Sequence, residues 1–285
     1  NERPTFDEIV NILRKDSNFI TKNIDKDYFK KYIEFIDKSK IIFNSKKQVN
    51  FDNITSNIEL FHQNNLHLYL VDVFKTQTNN IIVDFDYFEL INFEITMIKL
   101  GKGSIGEVFL VKDKKTDIKY AAKVFKIKLN KLPLSNIMKI SESINNCAKA
   151  NHPCLAKFFG YSPINLKSKF ERTILFHYYE NGSLKNLIDG EGKGYVSNDW
   201  TPTKKFINIY GIALGMAFLH SHNIIHGNLH LDNILLDEFL YPKIIDFDFL
   251  YDIESIRSMK SINSMGNEIN KNIIYLAPEV IQNYE

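Results

Sequence analysis

The sequence predicts an α+β protein in which a strand-rich half precedes a helix-rich half. Apolar residues alternate on both sides of a glycine turn between Ile95 and Ile127, which is strand spacing. They recur at helical spacing between Thr203 and His220, where Ile207, Ile212, Met216 and Leu219 are placed for burial. The chain has 285 residues, 44% hydrophobic and 25% charged, enough apolar side chains for one large or two modest cores.

The elements follow in order. Phe6, Ile9, Val10 and Leu13 fall at helical spacing after Pro4 and Thr5, which suit a helix start, so an amphipathic helix is expected over 6–20. Residues 21–92 are rich in Asn, Lys and Asp. Their apolar clusters, first at Tyr28, Phe29, Tyr32, Ile33 and Ile36, predict helix and then mixed short elements, a linker or small subdomain with no readable motif. Ile95, Met97 and Leu100 lead into a glycine turn at 101–106, and Val108 and Leu110 resume the alternation before a polar turn at 113–117. A third strand at 119–127 carries Ala121, Ala122 and Lys123, helices are expected at 137–150 and 203–220, and short strands at 174–178, 234–236 and 243–245.

Composition excludes several classes. Thirty-six Lys plus Arg against 34 Asp plus Glu leave +2, so no sequence-wide basic field is available, and neither nucleic acid nor a membrane is expected as a partner. Cys147 and Cys154 lack Cys-x-x-Cys spacing, which excludes a disulfide framework and favours a reducing compartment. No apolar run reaches the roughly 18 residues of a membrane helix, and no signal peptide opens the chain, so a cytoplasmic location is expected. The chain opens on Asn1 and ends at Glu285 after an apolar stretch, so a piece of a longer polypeptide is expected.

The motif Gly101-Lys102-Gly103-Ser104-Ile105-Gly106 is weak evidence alone, because dinucleotide folds and phosphate loops share it. The segment after Gly106 reads as strand, which favours a hairpin over phosphates, with an ordinary turn as the bland alternative. Order and spacing decide between them. Ala121-Ala122-Lys123 follows, then His226-Gly227-Asn228-Leu229-His230-Leu231-Asp232-Asn233, then Ile245-Asp246-Phe247-Asp248, then Ala277-Pro278-Glu279. Together these resemble the protein-kinase signature set. Phe158-Phe159-Gly160-Tyr161, 178–184 and 273–279 look most like the tyrosine-kinase-like group of Ser/Thr kinases. The resemblance covers 93–285. It implies a bilobal protein-kinase-like fold, with a small antiparallel β N-lobe and a mainly helical C-lobe left incomplete after Glu279.

The resemblance also implies roles, and with them ATP and Mg²⁺ as cofactors. Gly101, Gly103 and Gly106 would cover the phosphates, Val108 and Ala121 would pack on the base, and Lys123 would contact the α- and β-phosphates. Phe176 stands at the gatekeeper position, the backbones of His177 and Tyr179 at the adenine edge, and Leu235 on the pocket floor. Asn233 and Asp246 match the two metal ligands, both hard oxygen donors of the kind Mg²⁺ prefers.

Departures from the pattern carry as much information. Asn228 stands at the catalytic Asp position, and an amide cannot serve as a base at neutral pH. His230 replaces a lysine that neutralises the γ-phosphate and would be mostly neutral near pH 7. Gly227 replaces the Arg that receives an activation-loop phosphate, Asp248 replaces a glycine, and Lys271-Asn272 replaces Gly-Thr. The helix partner of Lys123 counts back to Ser143, in phase with Ile140, Ile144 and Cys147, whereas Glu142 is one residue off. His220, His222, His226 and His230 match no zinc spacing.

At the other end, residues 3–13 resemble the final helix of tyrosine-kinase-like domains. That implies the tail of a preceding kinase domain over 1–20 and a tandem arrangement; a generic amphipathic helix is the alternative. The expected function is an ATP-binding pseudokinase with an unidentified protein substrate or partner. An active atypical Ser/Thr kinase, using Asp248 or Asp232 to orient the hydroxyl, and a scaffold without nucleotide remain alternatives.

Overall fold

The computed structural model describes residues 3–15, 20, 23–39, 41–43, 93–102, 106–125, 143–144, 146–162, 173–195 and 197–247. The chain divides into two compact units, one of residues 40–151 and 157–178, the other of 1–39, 152–156 and 179–285.

The first unit is built on a five-stranded antiparallel sheet. Its strands are β2 (Phe93–Lys102), β3 (Gly106–Asp113), β4 (Lys119–Phe125), β6 (Phe158–Ser162) and β7 (Thr173–His177), in the order β2-β3-β4-β7-β6. Alternation sends Val111, Tyr120, Ala122 and Leu175 to one face, where they bury together with Phe93. Asp113 shapes the β3–β4 turn, its Oδ1 accepting from the amides of Lys115 (2.7 Å) and Thr116 (3.1 Å). β6 was not foreseen as a strand, although its sequence was recognised as a motif.

A two-residue strand β1 (Ile42–Phe43) pairs antiparallel with β5 (Ala150–Asn151). The helix expected over 137–150 therefore stops before Ala150, whose backbone is taken by Phe43. Residues 143–144 and 146–149 are helical, with Ser143, Ile144 and Cys147 all buried, which is the inward face that the spacing predicts; Glu142 lies outside the described residues. So do 44–92, where the mixed short elements were expected.

The second unit is mainly helical. Its elements are α1 (Phe6–Lys15), α2 (Lys26–Lys38), α3 (Leu184–Glu191), α4 (Pro202–Ser221), a 3₁₀ turn at Leu231–Asn233, and the antiparallel pair β8 (Ile234–Leu236) and β9 (Pro242–Ile244). α4 starts sharply, with Thr201 capping the Lys204 amide and Pro202 in the first turn. It is apolar nearly all round and is accordingly buried on most sides, as a helix at the centre of a lobe must be. α1 opens on a reciprocal capping box: the Glu8 amide donates to Thr5 Oγ1 and the Thr5 amide to Glu8 Oε2. It is described as far as Lys15, and 16–19 of the expected span lie outside the described residues. α3 had no helical periodicity strong enough to be foreseen; Ser183 caps it through the Asn186 amide.

α1 and α2 pack on α4. Leu13, Phe29, Tyr32 and Ile36 form one core cluster with Phe206, Ile207, Tyr210, Ala213 and Cys154. The Phe29 ring meets Phe206 and Tyr210 edge-on at 4.8 and 5.2 Å. Residues 26–38, which read as the start of a linker, are thus part of the lobe's core. Close approach on the other side of α4 depends on two glycines. A Cβ at Gly211 would stand 2.6 Å from Pro242 Cγ and Tyr32 Oη, and one at Gly215 would stand 2.7 Å from Ile244 Cδ1. The helix can hold both α2 and β9 only because those positions have no side chain. Among the described residues no helix is long and apolar enough to cross a membrane.

The packing makes a direct prediction. Phe29→Ala should lower unfolding stability by about 3–5 kcal/mol, the usual cost of emptying an aromatic core site. Phe35, on the same helix but 47% exposed, should cost less than about 1 kcal/mol when changed to Ala. Urea titration measures both; equal effects would contradict the packing of α2 on α4.

Candidate functional site

The residues singled out by sequence fall into two groups, one in each unit. In the sheet unit they share one face. Gly101 stands opposite Val108, Val108 opposite Lys123, Lys123 opposite Ile174, and Ala121 opposite Phe176. Cross-strand partners project on the same side, so Val108, Ala121, Lys123 and Phe176 line the face turned away from the Val111–Leu175 core. Lys123 is only 5% exposed. A lysine ammonium is rarely buried to that degree in a merely structural strand, because desolvation is costly without a compensating polar group. The His177 amide donates to Lys157 O (3.0 Å), which fixes the end of β7. Gly106 opens β3 opposite Phe125, and Gly103 lies outside the described residues.

In the helical unit, the loop from His226 to Asn233 folds back on itself. Asn233 is buried, and its Nδ2 donates to Asn228 O (2.8 Å) and faces His230 Nε2 at 3.1 Å. With its amino group so engaged, Asn233 Oδ1 makes no hydrogen bond among the described residues and is left as a hard oxygen donor. The Ile245 amide donates to Asn233 O (3.0 Å), which locks the segment carrying Asp246 to this loop. Asp246 has φ 59°, a left-handed backbone that costs a non-glycine residue about 1–2 kcal/mol. The next residue, Phe247, is fully buried and anchors that geometry. Asp248 lies outside the described residues. Leu235 sits on β8 opposite Lys243 and bridges to Ser183, while Tyr179 O accepts from the Gly182 amide (3.3 Å).

Electrostatics follow from these contacts. Burial lowers the His226 pKa to about 4, and burial also lowers that of His230, with the Asp232 and Asp246 carboxylates opposing. His226 Nδ1 accepts from the Asn228 amide (3.3 Å). Because Asn233 Nδ2 is a donor, His230 Nε2 accepts, and the His230 proton sits on Nδ1, 3.7 Å from Asp232 Oδ2. His230 is therefore a neutral ring that orients Asn233, not a cation.

Residues 95–285 match the family described as protein kinase domain. The chain belongs to this family. Among its relatives are the serine/threonine-protein kinase pakH of Dictyostelium discoideum (31% identity over 190 residues, 67% of this chain and 33% of that protein). The cysteine-rich receptor-like protein kinase 24 of Arabidopsis thaliana is 29% identical over 229 residues, 74% of this chain and 33% of that protein. The cytoplasmic tyrosine-protein kinase BMX of Homo sapiens is 30% identical over 199 residues, 70% of this chain and 26% of that protein. The chain thus spans a third or less of these relatives' length, and they include both serine/threonine and tyrosine kinases.

Gly227, in the 226–233 loop, has a special backbone. Gly227 has φ +74°, a conformation in which an arginine would be strained, and a Cβ there would meet nothing within 4 Å. Glycine takes that conformation without strain.

Sequence reasoning missed the support beneath the β8–β9 hairpin. Asp237 Oδ1 accepts from the amides of Phe239 (3.0 Å) and Tyr241 (2.9 Å), and its Oδ2 pairs with the largely buried Lys243 at 3.1 Å. Lys243 Nζ also donates to Pro153 O (2.6 Å). An Asp and a Lys six residues apart around an apolar turn carried no recognisable signal.

Two buried histidines give the kinase domain a pH-dependent stability. His152, whose Nδ1 accepts from the Cys154 amide (3.1 Å), is lowered by burial to about 4, as is His226. A base with a depressed folded-state pKa stabilises the fold fully above its unfolded value, and that stability fades as pH falls from about 6.5 toward 4. Between pH 7.5 and 5 the loss should be about 2 kcal/mol per histidine, read from urea midpoints. His152→Asn, which keeps an acceptor for Cys154, should remove about half of that dependence.

Proposed function

We propose that this kinase domain binds ATP with Mg²⁺ and has lost efficient phosphoryl transfer, making it a pseudokinase of the tyrosine-kinase-like Ser/Thr type. The observation that carries the reading is Asn228, whose backbone is held in the loop by Asn233 and His226. A side-chain amide there can accept a hydrogen bond from a substrate hydroxyl but cannot take its proton. The neutral His230 also supplies no positive charge for a γ-phosphate. Family members generally use ATP and Mg²⁺, and the donor set here suits both. Asn233 Oδ1 and the Asp246 carboxylate would hold the metal, the buried Lys123 would take the phosphates, and the His177 carbonyl would meet the adenine edge. When bound, the metal would neutralise phosphate charge.

Several further assignments belong to the same proposal. The two buried cysteines, Cys147 and Cys154, form no disulfide, which suits a reducing cytoplasm. A tandem partner domain is supported by the resemblance of residues 3–13 to a terminal kinase helix; in the structure that helix packs on α4 of this same unit.

Thermal unfolding tests nucleotide binding. ATP with Mg²⁺ at about a hundredfold excess over Kd should stabilise by about 2.7 kcal/mol, a shift of several degrees. Lys123→Ala should abolish the shift, and Asp246→Asn should abolish its Mg²⁺-dependent part. No shift for the unaltered chain at millimolar ATP would favour a scaffold that binds no nucleotide.

A further inference from the structure

We propose that α1 and α2 form a built-in control element of this kinase domain: seated on α4 and the β8–β9 hairpin, α2 positions Asn233 and the segment carrying Asp246, and unseated it leaves them loose. The proposal takes the role of those two residues from the nucleotide reading above. The family match begins at residue 95, so both helices come from outside it. Arg14 and Asp37 pair at 2.7 Å and tie them to each other.

α2 grips both the central helix and the hairpin. On α4 it sets Phe29 edge-on to Phe206 and Tyr210, and the amide of its N-cap Asp25 donates to Thr203 Oγ1 (2.8 Å). On the hairpin side the Tyr32 ring lies 4.6 Å from that of Tyr241, Tyr32 Oη meets Cys154 Sγ at 3.5 Å, and Tyr28 Oη meets Tyr241 Oη at 3.2 Å. Both residues so held lead to the candidate site. The Tyr241 amide closes the hairpin turn on Asp237 Oδ1 (2.9 Å), and Cys154 O accepts from the Ile244 amide (2.8 Å). One residue on, the Ile245 amide donates to Asn233 O (3.0 Å), and Asp246 follows. α2 therefore reaches Asn233 and Asp246 through one unbroken run of contacts, without touching either.

A buried cation makes the seat reversible. Lys204 is 9% exposed, donates to Tyr28 Oη (2.6 Å) and to Phe239 O, and lies over the Tyr28 and Tyr241 rings at 4.8 and 4.5 Å. Among the described residues it pairs with no carboxylate, so its charge is shared with neutral groups alone. Taking an ammonium out of water is costly, and cation–π contacts with a phenol oxygen offset that cost only in part. When α2 leaves, Lys204 regains its water. The seat is thus weaker than its apolar contacts alone would make it, which is what a two-state element requires.

Amide hydrogen exchange of the full chain, resolved by NMR and run without nucleotide, tests this. Tyr28→Phe keeps the ring and removes the oxygen that receives the ammonium. It should speed exchange severalfold in α2 and at Ile245 together, with the Leu187 amide of α3 unchanged. Lys204→Met removes the buried charge and should slow exchange at both places. In parallel, the thermal shift with Mg²⁺-ATP should shrink in Tyr28→Phe and persist in Lys204→Met. Coupled exchange in a chain that shows no ATP shift would support the control element and remove the nucleotide reading. The proposal is overturned if α2 opens while Ile245 keeps its protection, if Leu187 opens equally, if Lys204→Met also speeds exchange, or if neither variant changes it.

Discussion

The rest of the helical unit depends on the burial of α4. Its Phe206, Ile207 and Tyr210 receive α1 and α2, while Gly211 and Gly215 let Pro242 and Ile244 of β9 lie against the helix. β9 is in turn held by Cys154 on its other edge, through the Ile244 amide to Cys154 O (2.8 Å) and the Ala156 amide to Ile244 O (2.9 Å). The residue after β9 then donates to Asn233 O, and Asp246 follows at once. The two proposed metal ligands are thus placed by a chain of contacts that begins in an apolar helix. An interior packed at crystal-like density transmits position in this way because it has little room to give.

Within that frame, the proposed pseudokinase reading separates the geometry of the 226–233 loop from its charge. Asn233 ties itself to residue 228, and Asp246 holds a left-handed backbone. On the proposed reading, Asn228, His230 and Gly227 stand where transfer would need a carboxylate, an ammonium and a guanidinium, and offer an amide, a neutral ring and no side chain. Binding geometry and catalytic electrostatics are separable, since the first rests on packing and hydrogen bonds and the second on preorganised charge. On that reading the domain would hold nucleotide without efficient transfer.

Much of this was legible in the sequence, for identifiable reasons. Strand alternation placed β2, β3 and β4, and the register puts Val108 and Lys123 side by side as the motif requires. The helical phase of Ser143, Ile144 and Cys147 was readable because one face is buried. What was not legible depends on contacts distant in sequence. α2 joins the core through residues more than 100 positions away, Phe206 and Tyr210 among them, so composition made it look like a linker. The tautomer of His230 depends on which atom of Asn233 faces it, and the shared charge of Lys204 depends on Tyr28 and Tyr241. Neither leaves a mark in local pattern.

The most direct measurement of the central claim is transfer of radiolabelled γ-phosphate from Mg²⁺-ATP to a generic protein substrate, comparing the chain with its Asn228→Asp variant. Restoring the base should raise the rate by about 10² to 10⁴, the usual worth of general-base catalysis. An unaltered chain that turns over as fast as the variant would contradict the account and mark it as an active kinase working through another group.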